Sequence, residues 1–479
     1  MSVPDSQRPR PLPTSASYAI TARIYADPNP RVVGMLATAV GAAGGLVTAI
    51  DVTESRHDRI TIDVTCSAAN GEHSQEIVAA MEAVAGVRVY RVSDRTFLLH
   101  LGGKISVEPK VPLKTRDDLS MAYTPGVGRV SLAIAANPAD VSRLTIKGNS
   151  VAVVTDGSAV LGLGNIGPGA ALPVMEGKAA LFKRFANIDA WPICLDTQDV
   201  DEIVDTVRHI SPGFGGINLE DISAPRCFEI ERRLRASLDI PVFHDDQHGT
   251  AIVVLAALTN ALRCVRKPLI AARVVVAGGG AAGTAVVTLL LAAGVRNILV
   301  WDREGILAPA DSRLNDAKRD LASRTNPAGV TGDLHDAVRG ADVFIGVSAP
   351  GVLNAAWIPD MASSPVVFAL ANPDPEVDVD AAQGVAAVLA TGRSDYPNQI
   401  NNVLAFPGVF RGLLDARAHE VTTRMLLRAA DALAHCVSDE QLNASYIVPS
   451  VFDPQVPTAV ASAVREAATA SVTQDRGTK

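Results

Sequence analysis

Several features that would define a class of protein are scarce in this sequence. Its 479 residues include five scattered cysteines and no CxxC pair, which argues against a disulfide framework and indicates reduced thiols in a cytoplasmic protein. Its 43 basic against 51 acidic residues leave no basic surface that would attract nucleic acid or a membrane surface. Residues 1–17 contain arginines and prolines but no apolar run, and they predict a disordered tail rather than a signal peptide.

An uninterrupted apolar span is also missing. Residues 274–295 carry no charge, but glycines interrupt them, and a β-rich VVV gives way to the helix-like AVVTLLLAAG. A buried strand, a tight turn and a buried helix account for this pattern better than a membrane helix does. The hydrophobic content of 48% suffices for the cores of two or three domains.

The amino-terminal part has its own pattern of secondary structure. Residues 18–103 predict the order βαββαβ of a ferredoxin-like unit, in which residues 88–102 return as the last strand. A charged, proline-containing linker follows. From about Ser120 strands and helices alternate almost to the end, which predicts an α/β protein with parallel sheets.

Paired acids follow two predicted buried strands. GGINLED ends in Glu220 and Asp221, and IPVFHDD ends in Asp245 and Asp246. Carboxylates at the carboxyl ends of neighbouring parallel strands lie where open α/β sheets bind ligands, and several converging oxygens suit a divalent cation. Two plainer readings remain open, a helix cap at Asp246 and solvated charges at the other pair.

Two histidines flank the second acidic pair and raise the question of which metal would bind. His244 and His248 would suggest zinc, which prefers nitrogen and sulfur ligands. Because carboxylates dominate the cluster, Mg²⁺ or Mn²⁺ is the better prediction.

The motif GxGxxG occurs twice, and its two settings differ. Gly278, Gly280 and Gly283 directly follow the predicted strand ARVVVA, and the next strand ends in Asp302 at the spacing of an acid that binds the adenosine ribose. This copy predicts a dinucleotide site. The copy at residues 162–167 is separated from its strand, and the proline after it makes a poor helix start, so a loop around substrate or cofactor is expected there.

A lysine and a tyrosine are candidates for proton transfer. Tyr123 lies in the turn AYTPGVG, while Lys178 and Lys183 lie on a helix predicted to begin near Glu176. A lysine in a desolvated cleft can have its pKa lowered far enough to act as a base, and a tyrosine can deliver a proton. The alternatives are that the lysines are solvated side chains on the surface of a helix and that the tyrosine is half-buried and serves only packing.

Seven motifs occur in one order between about residues 105 and 460 and together resemble the bacterial malic enzymes. They are AYTPGVG, DGSAVLGLGNIGP, PVMEGKAALFK, INLEDISAPRCFEIE, FHDDQHGTA, ALANPDPE and NQINNVLAFPGVFRG. The resemblance implies NAD(P)-dependent oxidation and decarboxylation of L-malate to pyruvate and CO₂. The sequence departs from the larger eukaryotic enzymes at Ala159, where those enzymes have an arginine that binds a substrate carboxylate.

The resemblance also assigns roles to single residues. It implies that Tyr123 is the general acid and that Lys178, supported by Asp245, is the general base. The implied metal ligands for Mg²⁺ or Mn²⁺ are Glu220, Asp221 and Asp246. The implied contacts to substrate or nicotinamide are Asn372, Asn401 and Asn402.

The amino-terminal unit is similar in pattern to an ACT domain, which implies a small-molecule effector and a homodimer or larger homo-oligomer. The expected division is a tail to residue 17, an ACT-like domain at 18–103, a substrate and metal domain at 104–265, a Rossmann NAD(P) domain at 266–465 and a flexible tail at 466–479. Asp302 would repel a 2′-phosphate whereas Arg303 would attract it, so the expectation is NAD over NADP. Two alternatives are a catalytically idle metabolite sensor and an enzyme like the amino-acid dehydrogenases, which would not need the acidic cluster.

Overall fold

The computed structural model describes residues 14–476, with side chains to residue 470, and divides into two units between Ser106 and Val107. Residues 1–13 of the predicted tail at 1–17 lie outside the described part, and residues 15–17 belong to the first strand, so the tail was predicted to end too late. The first unit contains β1 (Ser15–Ala26), α1 (Val32–Ala42), β2 (Leu46–Ser55), β3 (Ile60–Ala68), α2 (Gly71–Glu82), β4 (Val87–Asp94) and α3 (Arg95–His100).

The first unit has the predicted βαββαβ order. Its antiparallel sheet has the strand order β2-β3-β1-β4. Ile20, Ala22 and Ile24 alternate along β1 and are buried with residues of α1 and α2, so both helices cover one face. The expected last strand was too long, because Asp94 accepts hydrogen bonds from the amides of Thr96 and Phe97 and thereby starts α3.

The second unit begins with short helices and a four-stranded sheet. Its elements are α4 (Arg116–Ala122), α5 (Val127–Ala136), α6 (Val141–Leu144), β5 (Ser150–Thr155), α7 (Pro168–Ala186), β6 (Asp189–Cys194), α8 (Val200–Ile210), β7 (Gly216–Leu219), α9 (Arg226–Ser237), β8 (Val242–His244) and α10 (Thr250–Cys264). All four strands are parallel in the order β6-β5-β7-β8. The strand order reverses between β5 and β7, so the carboxyl ends of these strands form a topological switch point.

A second parallel sheet follows, with one antiparallel edge strand. Its order is β11-β10-β9-β12-β13-β14. The elements are β9 (Arg273–Ala277), α11 (Ala281–Ala292), β10 (Asn297–Asp302), β11 (Gly305–Ile306), α12 (Asp316–Thr325), α13 (Leu334–Val338), β12 (Val343–Gly346), β13 (Val366–Ala369), α14 (Val379–Ala382), β14 (Val388–Thr391), α15 (Phe406–Ala416), α16 (Thr423–His435) and α17 (Gln455–Arg476). The chain is thus an α/β protein with a Rossmann-type sheet, as the sequence predicts.

The helix α10 connects the two parallel sheets through their common core. Eleven of its fifteen residues are buried. Ten of them, all but Asn260, belong to one hydrophobic cluster with residues of β5 and α7 and of β9 and α11. The apolar run at residues 274–295 is the strand β9, a turn and α11, and none of the helices within residues 14–476 is both long and apolar enough to cross a membrane.

Two helix boundaries differ from the prediction. The helix that carries Lys178 begins at Pro168 and not near Glu176, because proline is favoured in the first turn of a helix, where its missing N–H has no helical partner to lose. The helix α17 continues to Arg476, past the start at residue 466 that the sequence suggested for a flexible tail.

Candidate active site

The acidic pairs lie at the carboxyl ends of the adjacent strands β7 and β8, as predicted. One oxygen from each of Glu220, Asp221 and Asp246 lies within 4.8 Å of the others. Asp221 has a positive φ of 54°, an uncommon backbone conformation for a residue other than glycine. Asp245 begins a short π-helical turn, Asp245–Gly249, that leads into α10. Such strained backbone is concentrated at functional sites.

Lys178 lies between the two acidic pairs. Its Nζ is 2.5 Å from Oδ2 of Asp245 and 2.9 Å from Oε1 of Glu220, and it lies 4.2 Å from the ring centre of Phe406. The side chain of Lys178 is only 10% exposed. The structure therefore joins the predicted base with its supporting acid and with one of the predicted metal ligands.

The expectation of a lowered lysine pKa is wrong for this arrangement. Burial alone would lower the pKa of Lys178, but the charges and hydrogen bonds of Asp245 and Glu220 raise it above its ordinary value. Lys183, one and a half turns further along α7, is 53% exposed and pairs with Asp189, so it takes no part in this cluster.

The carboxylate cluster fits a divalent cation by its charge and its free oxygens. Burial and the charge of Asp246 raise the pKa of Asp221 to about 7, and burial raises the pKa of Glu220 well above its usual range. Asp221 Oδ2 is buried without a hydrogen-bond partner in the described part of the chain. Crowded carboxylates with a free oxygen suit Mg²⁺ or Mn²⁺.

The alternative readings of the acids and histidines do not match their contacts. The Oδ2 atom of Asp246 accepts the backbone N–H of Asp221, and α10 has no side-chain cap, so Asp246 is not a helix cap. His244 Nε2 lies 3.0 Å from that same oxygen, and His248 Nε2 lies 2.6 Å from Glu231 Oε1. Both histidines are therefore hydrogen-bonded to carboxylates instead of completing a zinc ligand set.

The three asparagines reach the site to different degrees. Asn402 donates from Nδ2 to Asp245 Oδ2 at 3.2 Å, so it holds the acid that holds Lys178. Asn401 accepts the N–H of Val403 and caps a short 3₁₀ turn. A Cβ on Gly162 would lie 2.4 Å from the carbonyl oxygen of Asn372, so the glycine loop after β5 packs against the ALANP segment.

Tyr123 is not joined to this cluster. It follows α4 and precedes a cis peptide bond between Thr124 and Pro125. Tyr123 is 69% exposed, which places it away from the buried Lys178 and its acids.

The three glycines of the dinucleotide motif have distinct geometries. Gly278 has a φ of +118°, and a Cβ there would lie 2.4 Å from Val347 O. A Cβ on Gly283 would lie 1.8 Å from Gly278 O, so only glycine permits the close approach of the helix to the strand. The space around Gly280 is open at the amino end of α11, where a pyrophosphate would be bound.

Asp302 ends β10 as predicted, and sequence reasoning missed its partner. Lys318 Nζ on α12 lies 2.6 Å from Asp302 Oδ2. Burial would raise the pKa of Asp302, but the hydrogen bond from Lys318 holds it below its usual value. The acid expected at the adenosine ribose therefore has a cation beside it.

Comparisons with known proteins agree with this geometry. Residues 102–235 match the family model for the malic enzyme N-terminal domain, and residues 247–469 match the model for the malic enzyme NAD binding domain. The NAD-dependent malic enzyme of Geobacillus stearothermophilus is 55% identical over 457 residues, which are 95% of this chain and 96% of that protein. The NADP-dependent malic enzyme of Halomonas elongata is 46% identical over 76% of this chain and 90% of its own length. The crystal structure of the NAD-dependent malic enzyme from Thermotoga maritima aligns with a TM-score of 0.75 and 49% identity over 78% of this chain and 99% of its own.

Proposed function

The chain belongs to the malic enzyme family and converts malate to pyruvate and CO₂ with reduction of NAD(P), and from that premise we propose which side chains carry the reaction. The main support is the contact of Lys178 with both Asp245 and Glu220 at the switch point of the first parallel sheet. An assay with malate, both dinucleotides and Mn²⁺, repeated after chelation, tests the proposal. Loss of activity on chelation is expected, and activity insensitive to chelation would overturn the metal-site part of the proposal.

Lys178 is the proposed base for the malate hydroxyl. Its Nζ is buried next to Phe406 and paired with Asp245. Because Asp245 and Glu220 raise the pKa of Lys178, the amine can act as a base only once its own proton has passed to Asp245, whose pKa is raised by burial. Asp245 is fully buried and is held in turn by Asn402, so the amine is fixed in direction before substrate binds. These contacts support the roles of Lys178 as base and Asp245 as its positioning acid.

Glu220, Asp221 and Asp246 are the proposed ligands of Mg²⁺ or Mn²⁺. When bound there, the cation supplies Lewis-acid polarisation of the substrate oxygens and compensates the crowded carboxylate charge. Asn372 is the proposed contact to substrate or nicotinamide because its segment packs on the glycine loop beside the cluster. Asn401 is a further proposed contact, and its side-chain oxygen also caps a turn.

Tyr123 is the proposed acid that protonates the enolpyruvate carbon, and we propose that it acts in the site of a second copy of the chain. It lies in a segment, residues 111–146, that we name the arm. No residue of the arm is buried. Its helices α4 and α5 have seven and ten residues, shorter than helices that are stable without packing. The arm therefore needs a partner surface.

A matching surface exists beside the active site of the same chain. The glycine loop and the start of α7 expose Leu161, Leu163, Ile166 and Leu172. The arm exposes Leu119, Met121 and Leu132 around Tyr123. The chain thus has one exposed apolar surface around the site and another around Tyr123, the proposed acid. This arrangement suits a two-fold homodimer in which each arm covers the partner's site.

Mixing two inactive variants tests this placement. We expect that Lys178→Ala and Tyr123→Phe chains, refolded or co-expressed together, regain about a quarter of wild-type activity, because half of the dimers are mixed and each has one site with both residues intact. Malate-dependent reduction of the dinucleotide is the measurement. A mixture of Lys178→Ala with Asp245→Asn, which alter one chain's own cluster, is the matched control and should stay inactive. No recovery in the first mixture would place Tyr123 in its own chain's site.

NAD is the proposed preferred dinucleotide, with NADP as a weaker second. Asp302 at the end of β10 supports ribose binding and repels a 2′-phosphate. Lys318 offsets this repulsion because its amine lies against the same carboxylate, beside Gly279 of the dinucleotide motif. The relatives include both NAD- and NADP-dependent enzymes.

Removal of Lys318 should widen the preference for NAD. We expect Lys318→Ala to lower kcat/KM for NADP by about tenfold, the loss of one charge-assisted hydrogen bond, and to change the value for NAD by less than about threefold. Steady-state kinetics with both dinucleotides measure the ratio. Arg324→Ala on the same helix α12, which removes an exposed cation, is the control. Equal losses with both dinucleotides would contradict the role.

The first unit is proposed to be an ACT-like domain that binds a small effector. Support comes from its βαββαβ order and from a hydrophobic cluster of its own. A cytoplasmic location is likewise a proposal, drawn from the scattered cysteines, all five of which are unpaired thiols.

A further inference from the structure

The two oxygens of Asp246 have unequal surroundings. Oδ2 accepts the Asp221 N–H at 2.8 Å and lies 3.0 Å from Nε2 of His244. Both bonds fall on the same oxygen, so Oδ1 has no protein partner in the described part of the chain. The carboxylate is thus held in one rotation, with one oxygen bound by protein and the other left for a ligand.

A chain of buried side chains fixes the imidazole that makes this bond. Gln247 Nε2 lies 3.0 Å from Glu231 Oε2 and 2.7 Å from His244 Nδ1. Because the acid can only accept, the Gln247 amide must present its NH₂ group to both neighbours. His244 Nδ1 then accepts, and the ring proton lies on Nε2, directed at Asp246.

Glu231, at the other end of this series of hydrogen bonds, is also held in place. Glu231 on α9 also binds His248 Nε2 through its other oxygen, at 2.6 Å. Burial would raise the pKa of Glu231, but the charge and hydrogen bond of His248 keep it below its ordinary value. Glu231 therefore remains an acceptor, which is the condition for the orientation of Gln247.

We propose that His244, held by Gln247 and Glu231, is a positioning residue that turns Asp246 so that its Oδ1 faces the divalent cation. This inference rests on the proposed metal site, and it adds residues that do not bind the metal themselves. Partners of this kind fix the orientation and basicity of a ligand, and their loss typically weakens metal affinity by about 10- to 100-fold. A merely structural histidine would stabilise the whole fold and would have no selective effect on metal affinity.

The test is Mn²⁺ binding to the full-length protein without substrate, measured by the electron paramagnetic resonance of free Mn²⁺. We expect His244→Phe, which keeps a ring but loses the donor, to raise the Mn²⁺ Kd by about tenfold or more. His244→Gln, whose amide reaches about as far as the imidazole Nε2, should restore the Kd to within about threefold. NAD binding, measured by calorimetry on metal-free protein, should stay unchanged in both variants.

Further variants separate the possible failures. Gln247→Met removes the lock on the imidazole and should raise the Kd by about three- to tenfold, which keeps the test open if His244→Phe does not fold. His335→Phe, in an exposed pair with Asp360, is the control and should bind Mn²⁺ like wild type. If wild type and Asp246→Asn bind Mn²⁺ equally, the proposed metal site fails. If Asp246→Asn loses binding while the His244 and Gln247 variants stay within about twofold of wild type, only the positioning role is overturned.

Discussion

Lys178→Ala will lower kcat for malate oxidation by about a thousandfold or more, because the amine that contacts Asp245 and Glu220 is then missing. The loss should fall on kcat and not on NAD binding. Lys178 lies on α7 at the acidic cluster of the first parallel sheet, whereas the dinucleotide glycines follow β9 of the second sheet. Single-turnover kinetics with malate and NAD measure it. Ammonium or methylammonium in the buffer should partly restore the rate by entering the vacated position.

A matched control separates chemistry from folding in this experiment. Removal of Lys178 leaves two buried carboxylates without their cation, which costs about 3–5 kcal/mol in comparable buried pairs, so thermal unfolding must accompany the kinetics. Lys183→Ala lies on the same helix and removes an exposed ion pair, so it should keep wild-type turnover. Wild-type rates in folded Lys178→Ala would reject the lysine as the base.

Asp246→Asn will weaken Mn²⁺ binding and malate turnover by about a hundredfold or more while leaving NAD binding intact. The substitution keeps the shape of the side chain but removes the charge of one of the three proposed ligands. It also places an amide where the His244 N–H needs an acceptor. Turnover should recover in part at high Mn²⁺, so the metal dependence of the rate is the measurement.

An exposed acid provides the comparison for Asp246→Asn. Asp205→Asn removes an aspartate from the surface of α8, where it pairs with Arg208, and it should leave the metal dependence unchanged. Turnover by Asp246→Asn that equals wild type at limiting Mn²⁺ would show that this carboxylate is not a ligand.

Convergence of the acids could be predicted from sequence because it follows from a rule of topology. Carboxyl ends of neighbouring parallel strands meet at one edge, so Glu220 and Asp246 had to be close once β7 and β8 were recognised. The dinucleotide glycines were equally predictable, since Gly278 and Gly283 have close backbone neighbours and Gly280 leaves open space at the amino end of α11. The start of α7 was misplaced because Pro168 was read as a helix breaker and not as a first-turn residue.

Side-chain contacts between residues distant in sequence could not be derived from sequence spacing, and the pair of Lys178 with Asp245 was implied by the resemblance alone. The pKa of Lys178 was expected to fall, and it rises because two acids, 42 and 67 residues further along the chain, reach the same amine. The bond from Lys318 to Asp302 and the chain from Glu231 to His244 likewise join side chains on different elements. Sequence spacing carries no signal for such contacts.

The buried helix α10 has a consequence for cooperativity. It starts at the turn that presents Asp245 and Asp246, and its sides pack in the same cluster as the strand before the dinucleotide glycines. A helix with eleven buried residues cannot shift at one end without disturbing contacts along its length. The proposed metal-binding carboxylates and the dinucleotide-binding sheet therefore form one thermodynamic unit, and loss of packing around α10 would weaken binding of the cation and of the dinucleotide together.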